Sequence, residues 1–262
     1  MARLHTDRVE LKYTLTFTMP FHFGTGLRSG LLDRTIVRNQ DGYVYVPAST
    51  IKGVWREKCE QLERLYYTGK LELVDTPHNA KKALLGLGNT ITMTTRIFGS
   101  QQYPGRLFFE DAHLTKEEKE EFDDKDAGEL GKGRRKYLQT TNYTQVRLER
   151  PSRTSVKGAL YTSEFGVRNF FFEGSVNGWL ECMQVAELGS PEPTYSLQLL
   201  LAGLYMMEKL GGNKSTGKGA CTFKITELNL NGTPVKESKW QGWLEHLEVL
   251  ELYEYMIQEE ES

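Results

Sequence analysis

Cysteine is scarce. The 262 residues hold three, Cys59, Cys182 and Cys221. They are far apart and odd in number, and no CxxC pair exists, so neither a zinc ribbon nor a disulfide framework is suggested. They read as plain core thiols in a reducing cytoplasm. Long apolar runs are also missing. The longest, Leu197 to Met207, is interrupted by Gln198 and falls short of the roughly 20 residues that cross a bilayer. The N-terminal MARLHTDRVE has no apolar stretch of the kind a secretion signal needs. A basic excess is missing too. The chain carries 33 Lys and Arg against 35 Asp and Glu, a net charge of -2, which taken whole argues against nucleic-acid binding. What remains is 26% charged, 39% hydrophobic and 11% aromatic. That composition suits a soluble globular protein and excludes collagen-like and low-complexity classes.

The total charge hides its distribution. Residues 110–130 hold ten acidic and three basic residues, residues 131–157 hold eight basic and one acidic, and residues 245–262 hold seven acidic and no basic. A basic stretch therefore sits between two acidic segments. The acidic segments are expected to face solvent or the basic flank of a protein partner.

Periodicity supplies the elements. Val9 to Thr18 alternates and is rich in β-formers, which predicts a strand. Pro20 to Gly30 reads as a loop with three glycines, and Thr35 to Val46 as a hairpin about Asp41-Gly42. Ser49 or Thr50 is positioned to cap a helix with Ile51, Val54, Trp55, Cys59, Leu62 and Tyr66 on one stripe. Arg106 to Leu114 reads as a second main strand, and Phe165 to Cys182 as strand or hairpin about Gly174. Pro193 to Leu210 has proline at its start and Gly-Gly after its end, a helix signature. Thr222 to Leu230 reads as a strand and Trp240 to Ile257 as a helix. Without insertions the order is βαββαβ, that of an α+β ferredoxin-like fold related to RNA-recognition domains.

Three segments suggest chemistry. Gly211-Gly-Asn-Lys-Ser-Thr-Gly-Lys-Gly219 nearly matches a phosphate-binding P-loop. However, Gly219 stands where Ser or Thr must ligate magnesium, and the loop joins helix to strand instead of strand to helix. Its amides with Lys214 and Lys218 suit phosphates, and it is equally an ordinary turn with solvated lysines. Val46-Pro-Ala-Ser-Thr-Ile-Lys-Gly-Val-Trp-Arg56 places hydroxyls at a helix start and Lys52 and Arg56 one turn apart. Gly131 to Lys157 interleaves Tyr137 and Tyr143 with Arg134, Arg135, Arg147, Arg150 and Arg153, a mixture that holds a phosphate chain and stacks bases.

Taken together, these motifs resemble the RAMP (repeat-associated mysterious protein) superfamily, and within it the backbone subunits of type III CRISPR effector complexes. The resemblance lies in Phe21-His-Phe-Gly-Thr-Gly26, the Val46–Arg56 segment, Arg96-Ile-Phe-Gly99, Val146-Arg-Leu-Glu-Arg150 with Gly158-Ala-Leu-Tyr-Thr-Ser-Glu164, and the loop Gly211–Gly219. It spans nearly the whole chain, in order. It departs at Thr216, where the family has arginine, and at Ser49-Thr50 in place of a serine doublet. It implies one RAMP domain over residues 1–262. The ferredoxin-like core would occupy about 9–66, 91–114 and 158–230, with an insertion at 115–157 and an acidic helical tail at 237–262. A β-hairpin thumb, candidate 131–157, would press between guide and target RNA.

The resemblance also implies the partners: CRISPR RNA guide, target RNA and neighbouring subunits, with no membrane. In target-cleaving members an Asp after the first strand cuts target RNA, and Asp33 occupies that interval. A carboxylate there can orient the ribose 2′-OH, take its proton, or hold a divalent cation, magnesium first, for which no protein ligand set is identifiable. Asp33 is equally a turn carboxylate. The implied RNA contacts are His22, Arg28, Arg34, Ser49, Lys52, Arg56, Arg147, Arg150, Arg153, Gly211, Gly212, Lys214, Ser215, Gly217, Lys218 and Gly219. The expected function is guide binding with target cleavage, a metal-dependent endoribonuclease activity within a complex. Two alternatives stay open: a purely structural RNA-binding subunit, and a stand-alone processing RNase using His22. A buried, hydrogen-bonded His22 is the plain reading of that residue.

Overall fold

The computed structural model describes residues 4–66, 92–100, 103–123, 134–149, 151–185, 188 and 192–253. Residues 67–90 between two parts of the expected core, the end of the acidic segment (124–130), the start of the candidate thumb (131–133), Arg150 and the acidic end 254–262 lie outside them.

The first strand, β1 (His5–Phe17), organises the sheet. Its alternation puts Val9, Leu11, Tyr13, Leu15 and Phe17 on a fully buried face, while Arg8 and Lys12 point to water. β1 pairs antiparallel with β7 (Phe171–Cys182) on one side and β8 (Cys221–Leu230) on the other. The short strands β3 (Leu107–Phe109) and β4 (Ala112–Leu114) both pair with β7. β2 (Tyr45–Val46) extends the sheet beyond β4, and β9 (Thr233–Pro234) beyond β8. The central order β4-β7-β1-β8, every pair antiparallel, with a helix after β1 and another after β7, is the ferredoxin-like βαββαβ arrangement.

Helices α1 (Ala48–Tyr66) and α4 (Tyr195–Tyr205) pack against each other beside this sheet. Trp55 of α1 is fully buried and its indole N–H donates to Leu200 O at 2.8 Å. Gly203 lets the helices approach, since a Cβ there would overlap Cys59 Sγ. Gln198, the polar break in the apolar run, is fully buried, and its amide donates to Trp243 O (2.7 Å) and His246 O (2.9 Å). Its amide N–H groups thereby anchor α5 (Glu237–Leu244) and the 3-10 turn that follows, while its Oε1 is buried without a hydrogen-bond partner. Two shorter helices, α2 (Met93–Phe98) and α3 (Lys116–Phe122), complete the described helices.

Several boundaries differ from the sequence reading. The inserted hairpin comprises β5 (Thr140–Leu148) and β6 (Ser155–Gly166), so it extends nine residues past Lys157 into the expected core. A 3-10 turn, Arg134–Gln139, leads into it. Gly174 does not turn the chain. It lies inside β7 opposite Tyr13, where a Cβ would meet the tyrosine hydroxyl at 2.5 Å, so glycine here makes room for a ring. The expected strand 106–114 breaks at Glu110-Asp111, because the Asp111 carboxylate accepts from Ala48 N at 2.7 Å. That carboxylate, not Ser49 or Thr50, caps α1. The C-terminal helix ends at Leu244, well short of Ile257.

Candidate functional site

Past the end of β1 the chain forms a loop that folds onto the base of the hairpin. Phe21 bridges Gly166, the last residue of β6, with reciprocal bonds of 3.2 and 2.7 Å. Phe21 stacks on Phe17 with centroids 4.2 Å apart, which fixes the loop to the core. The neighbouring His22 is 8% exposed, and its Nδ1 lies 2.7 Å from Glu164 O. A carbonyl only accepts, so Nδ1 carries the proton, and in the neutral ring Nε2 is left as an acceptor. Gly24 and Gly212 lie beside the Nε2 edge of this ring.

Asp33 is fastened to β6 at two points. Its N–H donates to Thr162 O at 2.9 Å, and its Oδ2 accepts from Thr162 N at 3.0 Å. The carboxylate is 34% exposed, and Oδ1 lies 3.8 Å from Arg28 Nε. One oxygen is thus committed to positioning and the other faces outward. A groove of about 490 Å³ joins His22, Gly24, Leu27, Asp33, Arg34 and Gly212. A larger cavity, about 900 Å³, lies near the start of β1 around His5, Asp7 and Val235, and holds none of the candidate residues. The groove is where the chemistry-bearing residues converge.

Glu164, two residues beyond Thr162, locks this arrangement. Its carboxylate accepts from Ile36 N (3.0 Å), Arg38 Nη2 (2.7 Å) and Thr140 Oγ1 (2.7 Å), and its N–H donates to Arg34 O at 2.9 Å. Burial pushes its carboxyl up, but those hydrogen bonds and the Arg38 charge outweigh burial and hold it below the usual carboxylate range. In the sequence Glu164 is only the last residue of the Gly158–Glu164 motif, with nothing to mark it as a site residue. The partners of its carboxylate lie up to 128 residues away, and spacing carries no signal of that kind.

The glycine-rich loop meets the same groove from the other side. Gly212 N donates to His22 O (2.9 Å) and Gly219 N to Pro20 O (2.8 Å). The amides of Thr216, Gly217 and Lys218 donate to carbonyls within the loop. Those five amides are therefore engaged by the chain itself and are not free to hold a phosphate. Gly211 and Gly219 have positive φ and press on His22 O and Leu210 O, so their role is close backbone packing. Lys218 Nζ sits 4.2 Å from the Tyr143 ring centre, a cation–π contact that ties the loop to β5. Lys214, Ser215 and Gly217 remain exposed.

Other expected contacts are placed elsewhere or stand free. Arg28 and Arg34 are exposed beside Asp33, the latter 5.4 Å from the Tyr161 ring centre. Arg147 and Arg153 are exposed on the hairpin, Arg153 at its turn with φ +54. Ser49 is exposed at the start of α1. Lys52 lies 5.4 Å from the Phe109 ring centre, and burial, with Arg56 nearby, lowers its ammonium pKa. Arg56 departs most from expectation. Its side chain is 14% exposed, with Nε on Glu60 (2.8 Å) and Nη1 on Gly99 O (2.7 Å). It ties α1 to the end of α2 and does not present a free guanidinium.

Among the described residues no group of three or more His, Cys, Asp or Glu is arranged to hold a metal ion. No helix among them is long and apolar enough to cross a membrane.

Comparison with known proteins adds three findings. A family model described as the RAMP superfamily matches residues 14–222. No curated protein matches by sequence. Among solved structures, a chain of the type III-B Cmr-beta bound to cognate target RNA superposes with TM-score 0.53 at 12% identity, covering 82% of this chain and 96% of that one. A chain of the apo type III-B Cmr-beta gives TM-score 0.51 at 12% identity, covering 83% and 97%. At such identity the likeness speaks for the fold.

Proposed function

The chain belongs to the RAMP superfamily, and from that membership and the groove geometry we propose that it is a backbone subunit of a type III CRISPR RNA-guided complex. In this reading it binds CRISPR RNA and cleaves complementary target RNA at Asp33. It works in a cytoplasmic assembly with neighbouring subunits. The observation that carries the proposal is the attachment of Asp33 to the hairpin. Hydrogen bonds of Asp33 and Arg34 to Thr162 and Glu164 hold the carboxylate at the base of a basic β-hairpin, and the exposed Arg28 lies 3.8 Å from it. One solved structure that superposes on this fold is a chain of a complex bound to cognate target RNA, and another is its apo state.

The roles follow from the geometry. The hairpin exposes Val146, Leu148 and Leu160 together with Arg147 and Arg153, so it offers apolar faces to bases and cations to phosphates. It is the thumb of this reading. Lys214 and Ser215 contact the guide backbone from the glycine-rich loop. Asp33 Oδ2 is held by Thr162, which aims Oδ1 at the 2′-OH of the target nucleotide. Oδ1 accepts that proton as O2′ attacks the adjacent phosphorus and O5′ leaves, taking a proton from water. The products are a 2′,3′-cyclic phosphate and a 5′-hydroxyl. Arg28 and Arg34 offset the charge that develops on the phosphate. Magnesium is commonly held by one or two carboxylates with water and substrate phosphate filling the other positions. Asp33 Oδ1 is the carboxylate oxygen in the groove that would hold such a cation in place of taking the proton, and the cation would then supply charge neutralisation at the phosphate.

The test is an assembled complex given end-labelled target. Cuts at regular intervals bearing cyclic phosphate ends are expected, and Asp33→Ala abolishes those made by this subunit. Persistent cuts, or 3′-hydroxyl ends, would sink the proposed chemistry. One observation favours a purely structural RNA-binding subunit instead: Oδ2 is already occupied by Thr162, so Asp33 has work to do as a loop anchor alone. In that case Asp33→Ala leaves the cut pattern intact and lowers stability only.

A further inference from the structure

The loop that carries Asp33 also holds two large apolar side chains out into water. Leu31 is 96% exposed and Leu27 is 70% exposed. A lone exposed leucine is ordinary. These two are held there by backbone geometry. Ser29 and Leu32 exchange N–H···O=C bonds of 3.0 Å in both directions, closing a two-residue turn at Gly30-Leu31, with Gly30 at φ +58. Turn tips favour glycine, asparagine, aspartate and serine, and here a leucine occupies one. Two residues later Asp33 is pinned to Thr162, so Leu31 cannot fold back onto the core without breaking those bonds. Leu27 is held as well. Its N–H donates to Thr25 Oγ1 at 3.0 Å, its carbonyl accepts from Thr35 Oγ1 at 3.2 Å, and its side chain lines the groove with Asp33.

The surroundings indicate the class of partner. Between residues 18 and 40 the sequence has Arg28, Arg34 and Arg38, and Asp33 is its one acidic residue. Arg28 is 82% exposed. Arg38 is paired with Glu164, so the exposed cations beside the leucines are Arg28 and Arg34, and apolar side chains interleaved with them complement a polyanion that also has flat apolar faces. Single-stranded RNA is such a partner. We propose that Leu31 and Leu27 bracket a nucleobase of the target strand next to the scissile phosphate, with Arg28 on the flanking phosphate. The contact sets the ribose beside Asp33 Oδ1 and makes Leu31 a positioning residue. The proposal rests on the reading of this groove as the target site.

The experiment is a protein–RNA double-mutant cycle in the reconstituted complex carrying Asp33→Asn, so that target release is followed without cutting. Release is compared for the intact loop, Leu31→Ala and Leu31→Phe, on targets made abasic one nucleotide at a time around the expected cut. Leu31→Ala is expected to speed release about fivefold, Leu31→Phe to leave it near the intact rate, and one abasic position to erase the difference. An absent Leu31 effect, or one equal at every abasic position, overturns the proposal. Loss of a neighbouring subunit from the Leu31→Ala complex with target release unchanged also overturns it, since the tip would then be a protein contact. Cutting by the Asp33→Asn complex would overturn the catalytic reading alone, and the abasic scan would still decide the base contact.

Discussion

Replacing Glu164 with alanine removes the acceptor shared by Ile36 N–H, Arg38 and Thr140. The Glu164 side chain is 11% exposed and that of Arg38 28%, so water replaces these bonds poorly. Breaking a buried pair from one side costs about 3–5 kcal/mol, and a charged hydrogen bond is worth about 1.5–3 kcal/mol. Arg38 keeps Gly42 O at 3.2 Å, which places the loss near the low end, about 3 kcal/mol. For a chain of this size that is a drop of about 6–12 °C in Tm. The pH dependence gives a second check. The folded-state pKa of Glu164 is held below its ordinary value of 4.5. Its contribution is therefore complete above that value and is lost as pH falls through the lower folded value. Thermal unfolding of wild type and Glu164→Ala, followed by circular dichroism from pH 8 to 3, should show a constant gap down to about pH 5 that closes in stronger acid. A gap under about 0.5 kcal/mol at pH 7, or one that widens on acidification, refutes the clamp.

Gly219→Ala should destabilise the fold by about 2 kcal/mol or more. The residue has φ +74, and its Cβ would overlap Leu210 O; a melting curve equal to wild type would contradict this. Arg147→Ala and Arg153→Ala should each flatten the salt dependence of guide binding by about 0.7 in the log–log slope, if each neutralises one phosphate. Unchanged slopes would remove these side chains from the backbone contacts. Chelation with EDTA should stop target cutting while leaving guide RNA bound, and cutting that continues at its original rate would exclude a required cation.

The core was legible because its signals are local. The alternation of β1 and the stripe of α1 reproduce the buried faces found for Val9–Phe17 and Ile51, Trp55, Cys59 and Leu62. The reading failed where a residue answers to something distant. Gly174 looks like a turn, yet it accommodates Tyr13 across a strand pair. Ser49 and Thr50 look like caps, yet Asp111 takes that place from another strand edge. Arg56 sits at the right spacing for a basic helix face, but Glu60 and Gly99 hold it inward. In the groove, Asp33 and His22 were candidates through the family resemblance, and the residues around them carried no independent signal. Their anchors, Thr162 and Glu164, come from a hairpin more than a hundred residues along the chain. Geometry of that kind forms only on folding.

The most direct measurement of the central claim is single-turnover target cleavage by a complex bearing Asp33→Asn. The amide oxygen of asparagine still accepts from Thr162 N–H, so the loop keeps its anchor while the carboxylate charge and basicity are gone. The account predicts unchanged guide and target binding, with cutting at the positions of this subunit slowed by at least about a hundredfold. Cutting at the wild-type rate with the loop intact would contradict it.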